Sequence, residues 1–224
     1  MPLTIEYLGH SGFIIKSAGG TLVIDPFLTG NPLATRKPDQ IKCDHIAITH
    51  GHGDHIGDSV AIAKANNATV IACWEICEFM GEHSVETNPG NPGGKVKTPF
   101  GWIAFTQAFH SSSYEGRYMG QPCGIVAHFE AENATIYHLG DTGLFSDLRL
   151  IGELYNPDIA CIPVGDRFTM GPELGRMAAE MIKPRIAIPI HWKTFPLLAQ
   201  DITPFRPAEV EVWAMAPGDT KTYG

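Results

Sequence analysis

Ile46-Ala47-Ile48-Thr49-His50-Gly51-His52-Gly53-Asp54-His55 decides how this chain is read. Its first residues suit a buried strand, and that strand runs directly into three histidines and an aspartate. Gly51 and Gly53 alternate with His50, His52 and Asp54, so the backbone can turn tightly while those side chains converge. Imidazole nitrogens and carboxylate oxygens are the donors that suit zinc and related divalent ions. Neutral histidines crowded into a loop would otherwise bury ring nitrogens that need partners. The stretch therefore reads as a metal site at the end of a strand.

The rest of the composition sets limits on partners. The chain has 224 residues, 44% hydrophobic and 18% charged, enough apolar content for a substantial core. Its formal charge is −8, and no basic cluster interrupts it, which argues against nucleic acid or an anionic membrane as partner. The cysteines at 43, 73, 77, 123 and 161 are odd in number and lack zinc-ribbon spacing, so they read as reduced, buried thiols. Met1-Pro2-Leu3-Thr4 has neither a basic head nor a long apolar run. No stretch reaches the roughly 18 apolar residues of a membrane span. A cytoplasmic protein of one domain over residues 1–224 is expected, with its oligomeric state, including a homo-oligomer, left open.

Working outward, Thr4 to Leu8, Gly12 to Lys16 and Thr21 to Asp25 are short β-branched runs separated by glycine turns, and Gly19-Gly20 makes a tight hairpin. His10 sits in the turn Gly9-His10-Ser11-Gly12, where it is either a functional group or a turn residue bonded to backbone. Asp25 ends its strand before Pro26, placed to accept the free N–H of a ligating imidazole. Helices are expected from Ser59 to Asn66 and from Glu75 to Gly81, on either side of a strand at Thr69 to Cys73. Asn88 to Gly94 is turn chemistry and reads as a loop. Lys95 to Lys97 and Trp102 to Thr106 pair around Pro99-Phe100-Gly101, and the second strand delivers His110 into a polar loop, 111 to 121. Two further strands end at Gly140-Asp141-Thr142-Gly143. A helix from Ser146, a strand at Asp158 to Ile162, a helix opened by Pro172 and a strand from Arg185 to Ile190 follow, the last releasing His191. Glu209 to Trp213 alternates like an edge strand. His45, His83, His128 and His138 lack ligand spacing and read as structural.

Thr49-His50-Gly51-His52-Gly53-Asp54-His55 resembles the signature of the metallo-β-lactamase superfamily. The loop Pro163-Val164-Gly165-Asp166-Arg167-Phe168-Thr169-Met170-Gly171-Pro172 and the run His191-Trp192-Lys193-Thr194-Phe195-Pro196 look like its metal-dependent hydrolase branch similar to L-ascorbate-6-phosphate lactonase. The resemblance covers nearly the whole chain. It implies an α/β fold, the four-layer αββα sandwich of two mixed sheets flanked by helices. It implies two divalent ions per chain, zinc or else manganese, iron or nickel. One is held by His50, His52 and His110 and the other by Asp54, His55 and His191, with Asp141 between them and Asp25 and Thr49 behind the ligands.

Open coordination positions left by such a set are what a catalytic centre needs, and bound water there approaches a pKa of ~7. The expected activity is hydrolysis of a small ester, lactone or phosphorylated substrate, an anionic one included, with Asp54, Asp141 and His10 in the reaction centre. In that reading His10 faces the substrate, and Ser111, Arg117, Asp166 and Lys193 line the pocket. Arg117 either binds an anionic group or is a solvated surface residue. Ser111 to Ser113 have no base at readable spacing, which disfavours a serine nucleophile. The competing readings are a metal-dependent phosphodiesterase or nuclease, a non-catalytic metal-binding sensor, and a flavin-linked di-iron oxidoreductase. The last would place a glutamate where His52 stands.

Overall fold

Few of the strands alternate between apolar and polar residues, because most are covered on both faces. The computed structural model describes residues 2–224. The first half of the chain runs through β1 (Leu3–Gly9), β2 (Gly12–Ser17), β3 (Gly20–Ile24), β4 (His45–Ala47), β5 (Thr69–Cys73) and β6 (Thr87–Gly90). Helices α1 (Gly53–Ile56), α2 (Ser59–Asn66) and α3 (Trp74–Glu82) belong to this half. The second half contains β7 (Lys95–Thr98), β8 (Gly101–Gln107), a small hairpin of β9 (Ser113–Tyr114) and β10 (Arg117–Tyr118), β11 (Cys123–Phe129) and β12 (Ala134–His138). It continues with α4 (Leu148–Tyr155), β13 (Ile159–Pro163), α5 (Pro172–Ile182), β14 (Ile186–Ile190) and β15 (Glu211–Val212). The last strand, β16 (Thr220–Tyr223), returns to pair antiparallel with β1.

Two seven-stranded sheets result, ordered β16-β1-β2-β3-β4-β5-β6 and β15-β14-β13-β12-β11-β8-β7. Each is mixed: β1 to β3 are antiparallel and β3 to β6 parallel, while β7, β8, β11 and β12 are antiparallel and β12 to β15 parallel. Ile5, Phe13, Ile24, Phe105, Ile125 and Ile188 pack between the sheets. Val23, Ile46 and Val70 face α2 and α3 through Ile62, Ile76 and Met80. Val126, Ala160 and Ile162 face α4 and α5 through Leu148, Ala178 and Ile182. Successive residues of β13 thus enter different cores, Ile159 and Cys161 one, Ala160 and Ile162 the other. The period of two survives as alternation between two apolar layers. This is the expected αββα sandwich, and truncating a core residue such as Ile188 to alanine costs about 2–5 kcal/mol.

Three local expectations need correction. Thr87–Gly90 is a strand, not part of a loop, pairing parallel with β5. Pro89 is tolerated because β6 is the sheet edge and needs partners on one side only. The loop 111–121 holds the β9–β10 hairpin. Gly53 to Ile56 form a helical turn whose His55 and Ile56 N–H groups both bond His52 O.

The topology sets the position of the site. Strands β1, β3 and β4 run in one direction, as do β8, β12, β13 and β14, so their C-terminal ends lie at common edges. Ligands in open α/β sheets bind beyond such carboxyl ends. There the chain releases His10, Asp25, the 49–55 stretch, His110, Asp141 and His191.

Candidate metal centre

His10, Asp25 and His191 leave their strands with φ of +58°, +43° and +60°. The left-handed region costs a residue with a Cβ about 1–2 kcal/mol. Three such residues at one edge mark a place where side-chain aim outweighs backbone comfort.

His50, His52 and His110 offer donor atoms within 4.8 Å of one another, and so do His50, His55 and Asp141, and His10, Asp54, His55 and His191. His50 Nε2 and His52 Nδ1 stand 3.0 Å apart. Asp141 Oδ2 lies 3.0 Å from His191 Nε2, 3.4 Å from His55 Nε2 and 3.6 Å from His110 Nε2. One carboxylate oxygen thus faces both groups. Among the described residues, buried His55 Nε2 and Asp141 Oδ1 have no hydrogen-bond partner. Unsatisfied buried polar atoms are costly, and converging lone pairs of this kind suit divalent ions. The donor set therefore fits the expected ions.

A hydrogen-bonded layer behind the donors fixes their direction. Thr49 donates its N–H to Asp25 Oδ1 and its hydroxyl to Asp25 Oδ2, at 2.9 and 2.7 Å. His55 Nδ1 donates to Asp25 Oδ2 at 2.7 Å, leaving Nε2 to face the centre. His50 Nδ1 lies 3.0 Å from Thr49 Oγ1, so its Nε2 is likewise presented. Ser112 Oγ accepts the Gly51 N–H at 3.0 Å, and the Met119 side chain fills the space that a Cβ on Gly51 would take.

Burial pushes His50 well below the usual imidazole range and lowers His110 and half-exposed His52, so these rings are unprotonated at neutral pH. Burial would lower His191 too, but the Asp141 charge outweighs it and raises His191 to about 9. His55 moves well up for the same reason, between Asp141 and Asp25. Burial opposes ionisation of Asp141, yet His191 and His55 hold its carboxyl well below the usual carboxylate range.

His10, expected to face the substrate, stands beside Asp54 and His191 and not on the cavity wall. It is fully buried, and it is absent from the walls of the cavity of about 360 Å³ formed by His52, Asp54, His110, Ser111, Asp141, Phe168 and His191. Its Nε2 lies 3.0 Å from Asp54 Oδ2 and its Nδ1 2.9 Å from Thr194 Oγ1. Burial and neighbouring His191 push it down to about 4, so it is neutral, with Nε2–H donated to Asp54 and the Thr194 hydroxyl donated to Nδ1. Of the four expected pocket residues only Ser111 lines the cavity. Arg117 pairs with Glu82 at 2.7 Å on the surface. Lys193 lies on a different cavity, beside Tyr7 and Trp192. Asp166 is exposed, its N–H bonded to Met170 O across the loop. Thr194, Ser112 and Phe168 stand in the sequence only as members of longer runs, since hydroxyls and an exposed phenylalanine carry no spacing signal. His138 is structural as expected, donating from Nε2 to Ser11 O and accepting the Gly140 N–H at Nδ1.

A sandwich of this kind with histidine and aspartate donors at its edge defines a class, the metal-dependent hydrolases, and comparison with known proteins agrees. Residues 4–191 match the family model for the β-lactamase superfamily domain. A UPF0173 metal-dependent hydrolase of Bacillus mycoides (strain KBAB4) is 49% identical over 205 residues, covering 89% of each chain. One of Geobacillus sp. (strain WCH70) is 49% identical over 204 residues, again 89% of each. Igni18, a metallo hydrolase from the archaeon Ignicoccus hospitalis, superposes with a TM-score of 0.90 at 33% identity, over 100% of this chain and 99% of its own. The chain belongs to the metallo-β-lactamase superfamily and, within it, to the UPF0173 metal-dependent hydrolases.

Proposed function

We propose that this hydrolase holds two divalent ions and cleaves a small ester or lactone. Supporting this reading above all is Asp141 Oδ2, which faces His110 of one donor group and His55 and His191 of the other. His50 Nε2, His52 Nδ1 and His110 would hold one ion, and Asp54, His55 and His191 the other, with Asp141 shared. When bound, such ions acidify water to a pKa of ~7 and polarise the attacked carbonyl.

The chain's own residues supply direction and enclosure. Asp25 and Thr49 keep His50 and His55 in the tautomers that present Nε2 inward. His10 is a positioning residue: backed by Thr194, it holds Asp54 Oδ2 toward His191, 3.7 Å away. Phe168 and Ser111 wall the cavity in which the carbonyl would sit.

The test is metal analysis of protein reconstituted with zinc or manganese, followed by assay on phenyl acetate, γ-butyrolactone and bis(p-nitrophenyl) phosphate. Two ions per chain with ester or lactone turnover abolished by chelator is the expected result. Phosphodiester cleavage without ester cleavage would favour the phosphodiesterase reading, and fewer than one ion per chain would remove the dinuclear one.

A further inference from the structure

Two cavities meet at the metal centre. The second, of about 460 Å³, shares His110 and Ser111 with the first and continues past Gln107, Phe109, Tyr118, Gln121 and Pro122. No side chain on its walls carries charge at neutral pH, His110 being held neutral by burial. Nearby cations are engaged elsewhere or stand outside it. Arg117, next in sequence to Tyr118, forms two bonds to Glu82, at 2.7 and 2.8 Å. The Arg167 guanidinium lies 5.8 Å from the Phe168 ring, beside the other cavity. Behind Gly120, which lines the second cavity, packs the carboxylate of Glu75. A carboxylate or phosphate in this space would lose water, gain no counter-ion from the side chains of its walls and face the Glu75 carboxylate behind Gly120.

Beside His110, the serine hydroxyls and the Tyr118 hydroxyl, its walls carry two side-chain amides in a fixed order. Gln107 Nε2 donates to Ala108 O at 3.0 Å, and Gln121 Nε2 donates to Gln107 Oε1 at 2.8 Å. These bonds set both amide orientations. They leave Gln121 Oε1 without a protein partner among the described residues, as an acceptor beside the cavity. Tyr118 and Phe109 on its walls are 66% and 60% exposed, Phe109 with its ring centroid 5.1 Å from that of Phe145. Flat apolar groups stack on such faces.

We propose that this second cavity is the subsite for the part of the substrate adjoining the scissile bond. It selects an uncharged planar group, an aromatic ring bearing a neutral hydrogen-bond donor such as a carboxamide, over a carboxylate or phosphate. The proposal rests on reading the adjoining centre as an ester or lactone hydrolase. It makes Tyr118 and Gln121 specificity residues, the first for stacking and the second for the donor.

The experiment compares metal-loaded wild type, Tyr118→Ala and Gln121→Leu. Phenyl acetates carrying a para carboxamide or a para carboxylate are assayed, each rate divided by that of hydroxide-catalysed hydrolysis of the same ester. Benzamide is the binding probe, followed by saturation-transfer NMR. Wild type should prefer the carboxamide ester in kcat/KM by about tenfold or more. Both substitutions should shrink that ratio through KM and weaken benzamide, with metal content and ethyl acetate turnover kept. If benzamide binds and both substitutions weaken it while no ester is hydrolysed, the subsite stands and the ester reading of the centre falls. Equal or better turnover of the carboxylate ester, no saturable benzamide binding, or binding untouched by both substitutions overturns the proposal.

Discussion

Asp25 Oδ2 accepts a hydrogen bond from His55 Nδ1 at 2.7 Å, with both side chains fully buried. The same oxygen also accepts the Thr49 hydroxyl, so one carboxylate orients His55 directly and His50 through Thr49. Asparagine has one acceptor where Asp25 has two, and its amide N–H₂ would meet either the Thr49 N–H or the His55 Nδ1–H. Asp25→Asn should lower metal affinity about 10–100-fold, the range for lost partners of ligating histidines. Competition titration against a chromogenic chelator measures it, and unchanged affinity would remove Asp25 from this role.

Among the described residues, Asp141 reaches both donor groups, through His110 on one side and His55 and His191 on the other. Asp141→Ala should leave a protein that retains at most one ion and loses turnover by about 10²–10³-fold, the cost of removing a well-placed electrostatic group. The core strands do not depend on it, so the far-ultraviolet spectrum should stay that of the native fold. Two tightly held ions in the variant would contradict the shared position.

Gly165 packs directly beneath the carbonyl of His191, and a Cβ built there would also come within 2.8 Å of His191 Nδ1. Gly165→Ala forces either the 165 loop or the His191 backbone to shift. The expected cost is about 1–3 kcal/mol of stability, as for other overpacked sites, together with weaker metal retention. Urea unfolding checks the first and elemental analysis the second. Wild-type values for both would show that the 165 loop yields freely.

His138 titrates against stability. Burial is the largest influence and lowers its pKa below the usual imidazole value, with Asp25 opposing. Protonation would place an Nδ1–H against the Gly140 N–H that this nitrogen now accepts. With the folded pKa below the unfolded 6.5, the unfolded chain binds more protons in the window between them. The contribution is full above pH 6.5 and is lost as pH falls from 6.5 toward the folded value. Its slope is at most about 1.4 kcal/mol per pH unit. Comparing wild type with His138→Gln between pH 7 and 5, both in chelator, isolates this group from metal release. Parallel stability curves would refute it.

The sequence by itself determined the donor types, their places at strand ends and the apolar runs that carry them. A local pattern of β-branched residues ending in histidine or aspartate is visible wherever it occurs. It left His10, next to Gly9 at the end of a strand, open between a functional group and a turn residue, and it read His138 as structural only for want of ligand spacing. Sheet topology separated them by bringing Asp54 and Thr194 to His10, and Ser11 O and the Gly140 N–H to His138. Arg117 was drawn from the pocket by Glu82, a partner 35 residues earlier in the chain. Residues 87–90 became a strand because β5 offered an open edge, an advantage that turn-rich composition does not display. Residue type is local, whereas convergence, burial and partnership are properties of the packed sheets, and they determine which donors meet at the metal centre.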